Sequence, residues 1–89
     1  MMRTTKTLSP ATPQGVGNSI RAAMPNMKDL VIVRGTANGN VVVALNEENP
    51  LMRDAVRRSG LRVQIRDALK GKYSYQQSNG RFYVRGKLD

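Results

Sequence analysis

Tyr73-Ser74-Tyr75-Gln76-Gln77-Ser78-Asn79-Gly80-Arg81-Phe82-Tyr83-Val84-Arg85 decides how this chain folds. Two strand-forming runs flank Asn79-Gly80, a dipeptide suited to a two-residue type I′ turn because both central residues of that turn need positive φ. Pairing across the turn sets Tyr75 opposite Val84 and Gln77 opposite Phe82. Strand alternation then gathers Tyr73, Tyr75, Phe82 and Val84 on one side and Ser74, Gln76, Ser78, Arg81, Tyr83 and Arg85 on the other. The first side is core. The second is wet and basic, with Tyr83 held between two arginines.

Upstream of this hairpin lies a helical stretch with a clear start. Asn49 suits an N-cap, Pro50 the first helical position, and Glu47 and Glu48 the positive helix end. The pattern runs to Leu69, with Gly71 as its stop. One unbroken helix would put Arg58 and Arg62 in the middle of the apolar face formed by Leu51, Ala55, Leu61, Ile65, Ala68 and Leu69. A break at Ser59-Gly60 removes the conflict and leaves Leu61, Ile65 and Leu69 as a stripe of their own, so two helices are expected, the second capped by Ser59.

Further upstream, Leu30-Val31-Ile32-Val33 and Val41-Val42-Val43-Ala44-Leu45 are β-branched runs around Asn38-Gly39, a first hairpin with the same turn chemistry. A two-residue turn there would oppose Val33 to Ala44 and Ile32 to Leu45. Both faces of this hairpin are apolar, and a sheet buried on both faces needs two covers. One helix covers one face, so the N-terminal segment or a second subunit is expected on the other; a homodimer follows from the latter. Asn18 or Ser19 is placed to cap a short helix through Ile20, Ala22, Ala23 and Met24 that Pro25 stops. Residues 1–17 are rich in Thr, Pro, Gly and Ser, lack a sustained period, and are expected to form a disordered arm carrying Arg3 and Lys6. The expected fold class is therefore α+β: residues 18–89 form one small domain of β-hairpin, broken helix and β-hairpin.

The charge is unevenly spread. The chain's net charge is +9, and residues 53–89 hold ten of its 15 Lys and Arg against three Asp. Ordinary surfaces mix signs, whereas clustered cations gain by displacing counterions from a phosphate backbone. Nucleic acid is the expected partner, duplex DNA ahead of RNA or single strands. The chain has no Cys and no His, which excludes disulfides, thiolate zinc sites and imidazole-based catalysis. An enzyme is not expected, nor a metal, a cofactor or a small-molecule substrate. No apolar run reaches the ~20 residues of a membrane span, and no signal-peptide pattern is present. A soluble, cytoplasmic protein with no membrane partner is the expectation.

The order helix, tight turn, helix, hairpin over residues 50–86 resembles the helix-turn-helix plus wing of winged-helix DNA-binding domains. That resemblance implies a recognition helix over residues 61–70, with Arg62, Gln64, Arg66 and Lys70 facing the major groove. Arg81 and Arg85 on the hairpin would then hold phosphate, and Arg57, Arg58 and Lys72 would add to the field. The chain departs from the pattern in placing Arg66 where such turns carry an apolar residue, and in having a full apolar hairpin upstream. A second mode uses the sheet itself, with Tyr83 stacking a single-stranded base beside Arg81 and Arg85. A third reading is a small inhibitor or adaptor, of the kind a mobile element or virus encodes, docking on an acidic surface of a nucleic-acid enzyme; a fourth is a ribosome-associated protein. Within a helix, Asp54 is spaced to pair with Arg57 or Arg58, and Arg62 and Asp67, five residues apart, are spaced less well.

Overall fold

In the computed structural model, which describes residues 9–88, two helices pack on one face of a four-stranded antiparallel sheet. The elements are α1 (Pro13–Ala23), β1 (Val31–Gly35), β2 (Val41–Leu45), α2 (Ala55–Leu69), β3 (Tyr73–Ser78) and β4 (Arg81–Lys87), in sheet order β1-β2-β4-β3. The class is α+β, as the sequence implies.

The β3–β4 hairpin forms in the expected register, with Tyr75 opposite Val84 and Gln77 opposite Phe82. Asn79 and Gly80 take φ of 53° and 76°, the type I′ signature. A bulge between Ser74 and Tyr75 shifts the pairing near the start of β3 and leaves Tyr73 buried, its hydroxyl 3.3 Å from Ser19 Oγ.

The β1–β2 hairpin closes one residue away from the expected register. Its loop holds three residues, Ala37-Asn38-Gly39, and only Gly39 has positive φ. The Thr36 amide donates to Asn40 O at 2.8 Å, and the Thr36 hydroxyl accepts the Asn40 amide at 3.2 Å. That side-chain bond favours the three-residue closure over the two-residue type I′ turn. Val33 therefore pairs with Val43 rather than Ala44. A one-residue slip exchanges which faces of the two strands coincide. Val31 and Val33 now share a face with Val41, Val43 and Leu45, and Ile32 and Arg34 share the opposite face with Val42 and Ala44.

Two expectations for the helices are corrected. α2 is unbroken across Ser59 and Gly60. The interruption comes earlier: Asn49 caps a short 3₁₀ turn, Pro50–Arg53, and extended Asp54 then caps α2 by accepting from the Val56 and Arg57 amides. Leu51 is thereby turned out to solvent while Met52 is buried. The arginines that argued for a break are accommodated at the margin of the core, where long side chains bury their stems and keep their charge at the surface. Arg58 bonds Glu47 Oε1 at 2.6 Å and Met52 O at 3.1 Å, and the Arg62 guanidinium reaches toward Gly80 at the β3–β4 turn.

The expected arm also ends sooner. Thr12 caps α1 through the Gly15 amide at 3.0 Å, Pro13 takes the first turn, and Val16, Ile20 and Met24 form a buried stripe. Ala11 is buried as well, and Ser9 pairs with Lys87 through two backbone bonds. The helix ends before Pro25, as expected. The remainder of the expected arm, with Arg3 and Lys6, lies outside the described residues.

The core joins α1, α2 and the inner sheet face through Val16, Ile20, Ile65, Leu69, Val43 and Phe82, each fully buried. Among the described residues, no element packs over the opposite face of the sheet.

Candidate nucleic-acid interface

That uncovered face is built by strand alternation and hairpin register. Arg34, Val42, Tyr83 and Gln76 are successive cross-strand partners along one row, from β1 through β2 and β4 to β3. Adjacent strands lie about 4.8 Å apart and alternate residues about 7 Å. Arg34 and Tyr83 therefore stand about 10 Å apart. Two residues from this row, on the same face, are Ile32 and Ala44 on one side and Arg81 and Arg85 on either side of Tyr83. Ile32, Val42, Ala44 and Tyr83 are half-buried; Arg34, Arg81 and Arg85 are exposed. The result is an apolar floor with one aromatic ring near its centre and three guanidinium groups around it.

The charges on this face are mostly unspent. Arg85 donates to Gln76 Oε1 at 3.0 Å, a neutral partner that orients the guanidinium without cancelling its charge. Arg34 and Arg81 have no acidic partner among the described residues. Guanidinium groups without an acidic partner suit phosphate oxygens, which they bind through paired donors.

The residues singled out in the sequence divide between two faces. Arg81, Tyr83 and Arg85 belong to the outer sheet face. Arg57, Arg58, Arg62, Gln64 and Arg66 belong to α2 on the opposite layer, with Lys70 as its C-cap and Lys72 in the loop beyond. Arg58, Arg62, Arg66 and Lys70 recur every fourth residue along one flank, about 6 Å apart in rise. Arg57 and Gln64 flank a shallow depression at Gly60. Arg58 is neutralised by Glu47, and Arg66 lies 3.6 Å from Asp67. The expected partners differ, because Asp54 is occupied as the cap of α2 and Asp67 turns to its neighbour Arg66 rather than to Arg62.

Arg34 was not singled out in the sequence, nor were Val42 and Ile32 as its neighbours. The signal was present: an apolar strand pair with a lone arginine implies a face for that arginine. The two-residue turn expected there gives Arg34 the wrong cross-strand partner, and its alignment with Tyr83 through Val42 depends further on the strand order.

Helix-turn-helix geometry is absent from residues 50–86, since α2 is one helix and both helices lie on the sheet's inner face. Among the described residues, no charged side chain is buried and no helix is long and apolar enough to cross a membrane. Comparison with family models, curated proteins and solved structures returns no match to this chain.

Proposed function

We propose that this chain binds nucleic acid on the outer face of its sheet and takes it as single strands. The observation that carries the reading is the pairing of Val42 with Tyr83 at the centre of an uncovered sheet, ringed by Arg34, Arg81 and Arg85. A base stacks on an aromatic side chain whatever its identity, and flanking arginines neutralise the backbone. A duplex buries its base faces and has no use for Tyr83.

Charge also selects among occupants of this face. A second copy of the chain would bring three arginines per subunit toward three of their own kind, with like-charge repulsion at the contact. A polyanion meets the same three groups as attraction. The reading accordingly favours a monomer with nucleic acid on its sheet over a homodimer closed through it.

Duplex DNA is the second reading, supported by the row of Arg62, Arg66 and Lys70 on α2. Such a row would contact backbone and contribute affinity without sequence preference.

A salt-titrated binding assay comparing single-stranded DNA, single-stranded RNA and duplex DNA separates the two. The sheet-face reading expects single strands to win and log K to fall with log salt at a slope near −2, about −0.7 for each of three phosphate contacts. Alanine at Arg34, Arg81 or Arg85 should each remove about 0.7 from that slope, whereas alanine at Arg62 or Arg66 should leave it in place. A preference for duplex lost with the α2 arginines would transfer the function to the helix. No binding to any of the three at physiological salt would instead favour docking on an acidic protein.

A further inference from the structure

At one edge of the sheet, β1 pairs with β2 and with no other strand among the described residues. The ladder with β2 fixes which backbone groups face that edge. The Asn46 amide donates to Leu30 O at 2.9 Å and the Thr36 amide to Asn40 O at 2.8 Å, so both pairs bond across the hairpin. Bonded and non-bonded pairs alternate in an antiparallel ladder. Ile32 and Arg34 therefore turn their amides and carbonyls toward β2, and Val31 and Val33 turn theirs to the open edge. Edge strands are commonly blunted by bulges, prolines or covering elements. β3, the other edge, has its bulge between Ser74 and Tyr75, whereas β1 pairs in regular register and contains no proline.

The β1 edge opens into a groove beside α1, of about 480 Å³, a size within the range of ligand clefts. Val31 and Val33 line it from β1, Pro13 and Gly17 from α1, and Pro25 and Lys28 from the connection between them. Arg21 lines it too, and no Asp or Glu does. Lys28 has no acidic partner among the described residues, and Arg21 bonds the neutral side chain of Asn18. The side chains of a strand added here would alternate between two sides. One set would enter the groove against Val31, Val33 and Pro13; the other would pass on the outer side beside Arg34.

We infer that the β1 edge is a strand-addition site for an extended acidic peptide segment of a partner protein. The segment bonds the free amides and carbonyls of Val31 and Val33, lays apolar side chains in the groove, and sets carboxylates against Arg21, Lys28 and Arg34. A second copy of this chain would bring the same three cations to the same edge and meet repulsion; an acidic strand meets attraction. This site is separate from the nucleic-acid reading of the sheet face, and either stands without the other.

The probe is a capped peptide of alternating glutamate and valine, long enough to span the five residues of β1. Two controls accompany it: a peptide of the same composition with the glutamates and valines in separate blocks, and one alternating lysine and valine. Amide hydrogen exchange of labelled protein, read by NMR, is the measurement. In the free chain, Val31 and Val33 should exchange fast and Ile32 and Arg34 slowly. The alternating acidic peptide at about ten times its dissociation constant should slow Val31 and Val33 about tenfold and leave Ile32 and Arg34 unchanged. Arg21→Ala and Lys28→Ala, both exposed, should each weaken binding about two- to fivefold. N-methylating alternate peptide residues in one phase, and not in the other, should abolish it. Equal protection by either control peptide overturns the inference, as does no protection at about 1 mM peptide. Val31 and Val33 already protected in the free chain, and released on dilution, would give the edge to a second copy and overturn it too.

Discussion

Replacing Gly60 by alanine should stabilise the protein, and the sign of that change tests how α2 is built. Gly60 lies inside an unbroken fifteen-residue helix, has no positive φ, and an added Cβ would meet nothing within 4 Å. Alanine at an exposed interior helix position is worth about 0.8–1.0 kcal/mol over glycine, largely through the entropy of the unfolded chain. For a domain of this size, that corresponds to a rise in Tm of about 4–8 °C. In urea, the midpoint should climb by about 0.3–1 M with no change in slope. Ser59→Ala sharpens the test. In a continuous helix, alanine is the better former and the change is mildly stabilising, by about 0.5 kcal/mol or less. If the chain broke here and Ser59 capped a second helix, the same change would cost about 1 kcal/mol. Thermal and urea unfolding followed by circular dichroism measures both. A fall in stability for Ser59→Ala with no gain for Gly60→Ala would refute the unbroken helix.

Other outcomes follow from particular contacts. Asp54→Ala removes the acceptor for the Val56 and Arg57 amides and should cost about 1 kcal/mol in urea unfolding, more than alanine at exposed Asp67. Gly39→Ala and Gly80→Ala, at φ of 79° and 76°, should each cost about 1–2 kcal/mol, opposite in sign to Gly60→Ala. Phe82→Ala empties a fully buried site beside Tyr75 and should cost about 3–5 kcal/mol, enough to leave the domain close to unfolding at room temperature; a loss below about 1.5 kcal/mol would contradict its central place in the core. Tyr83→Ala should weaken single-strand binding about 5- to 150-fold by anisotropy, from about 1–3 kcal/mol of stacking, while the circular dichroism spectrum is retained.

How much of this was legible in the sequence depended on how local the deciding interaction was. The Asn79-Gly80 hairpin was fully readable, because two adjacent residues needing positive φ define both turn and register. The first hairpin used the same dipeptide and misled, because Thr36 adds a side-chain bond to Asn40 that moves the closure by one residue. The helix break was placed wrongly for a tertiary reason. Arg58 finds Glu47 eleven residues away in the chain, and no local pattern announces that pair. The second half of α1 is legible up to its stop at Pro25, but its start is hidden behind the Thr- and Pro-rich composition of residues 1–17, although Thr12-Pro13 followed by Val16, Ile20 and Met24 is a capped amphipathic helix when read by spacing. On the outer sheet face, alternation in the sequence already places Arg81, Tyr83 and Arg85 on one side of the last hairpin, where the structure has them. Its extension through Val42 to Arg34 required the strand order β1-β2-β4-β3, which no property of either hairpin alone specifies.

The most direct test of the account is to locate the nucleic acid on the protein. Titrating isotope-labelled protein with a short single-stranded oligonucleotide, and following each backbone amide by NMR, distinguishes the two layers residue by residue. The sheet-face account predicts the largest shifts at Ile32, Arg34, Val42, Ala44, Arg81, Tyr83 and Arg85, with α2 nearly silent. Shifts concentrated along Arg62, Arg66 and Lys70, with Tyr83 and Val42 unmoved, would contradict it.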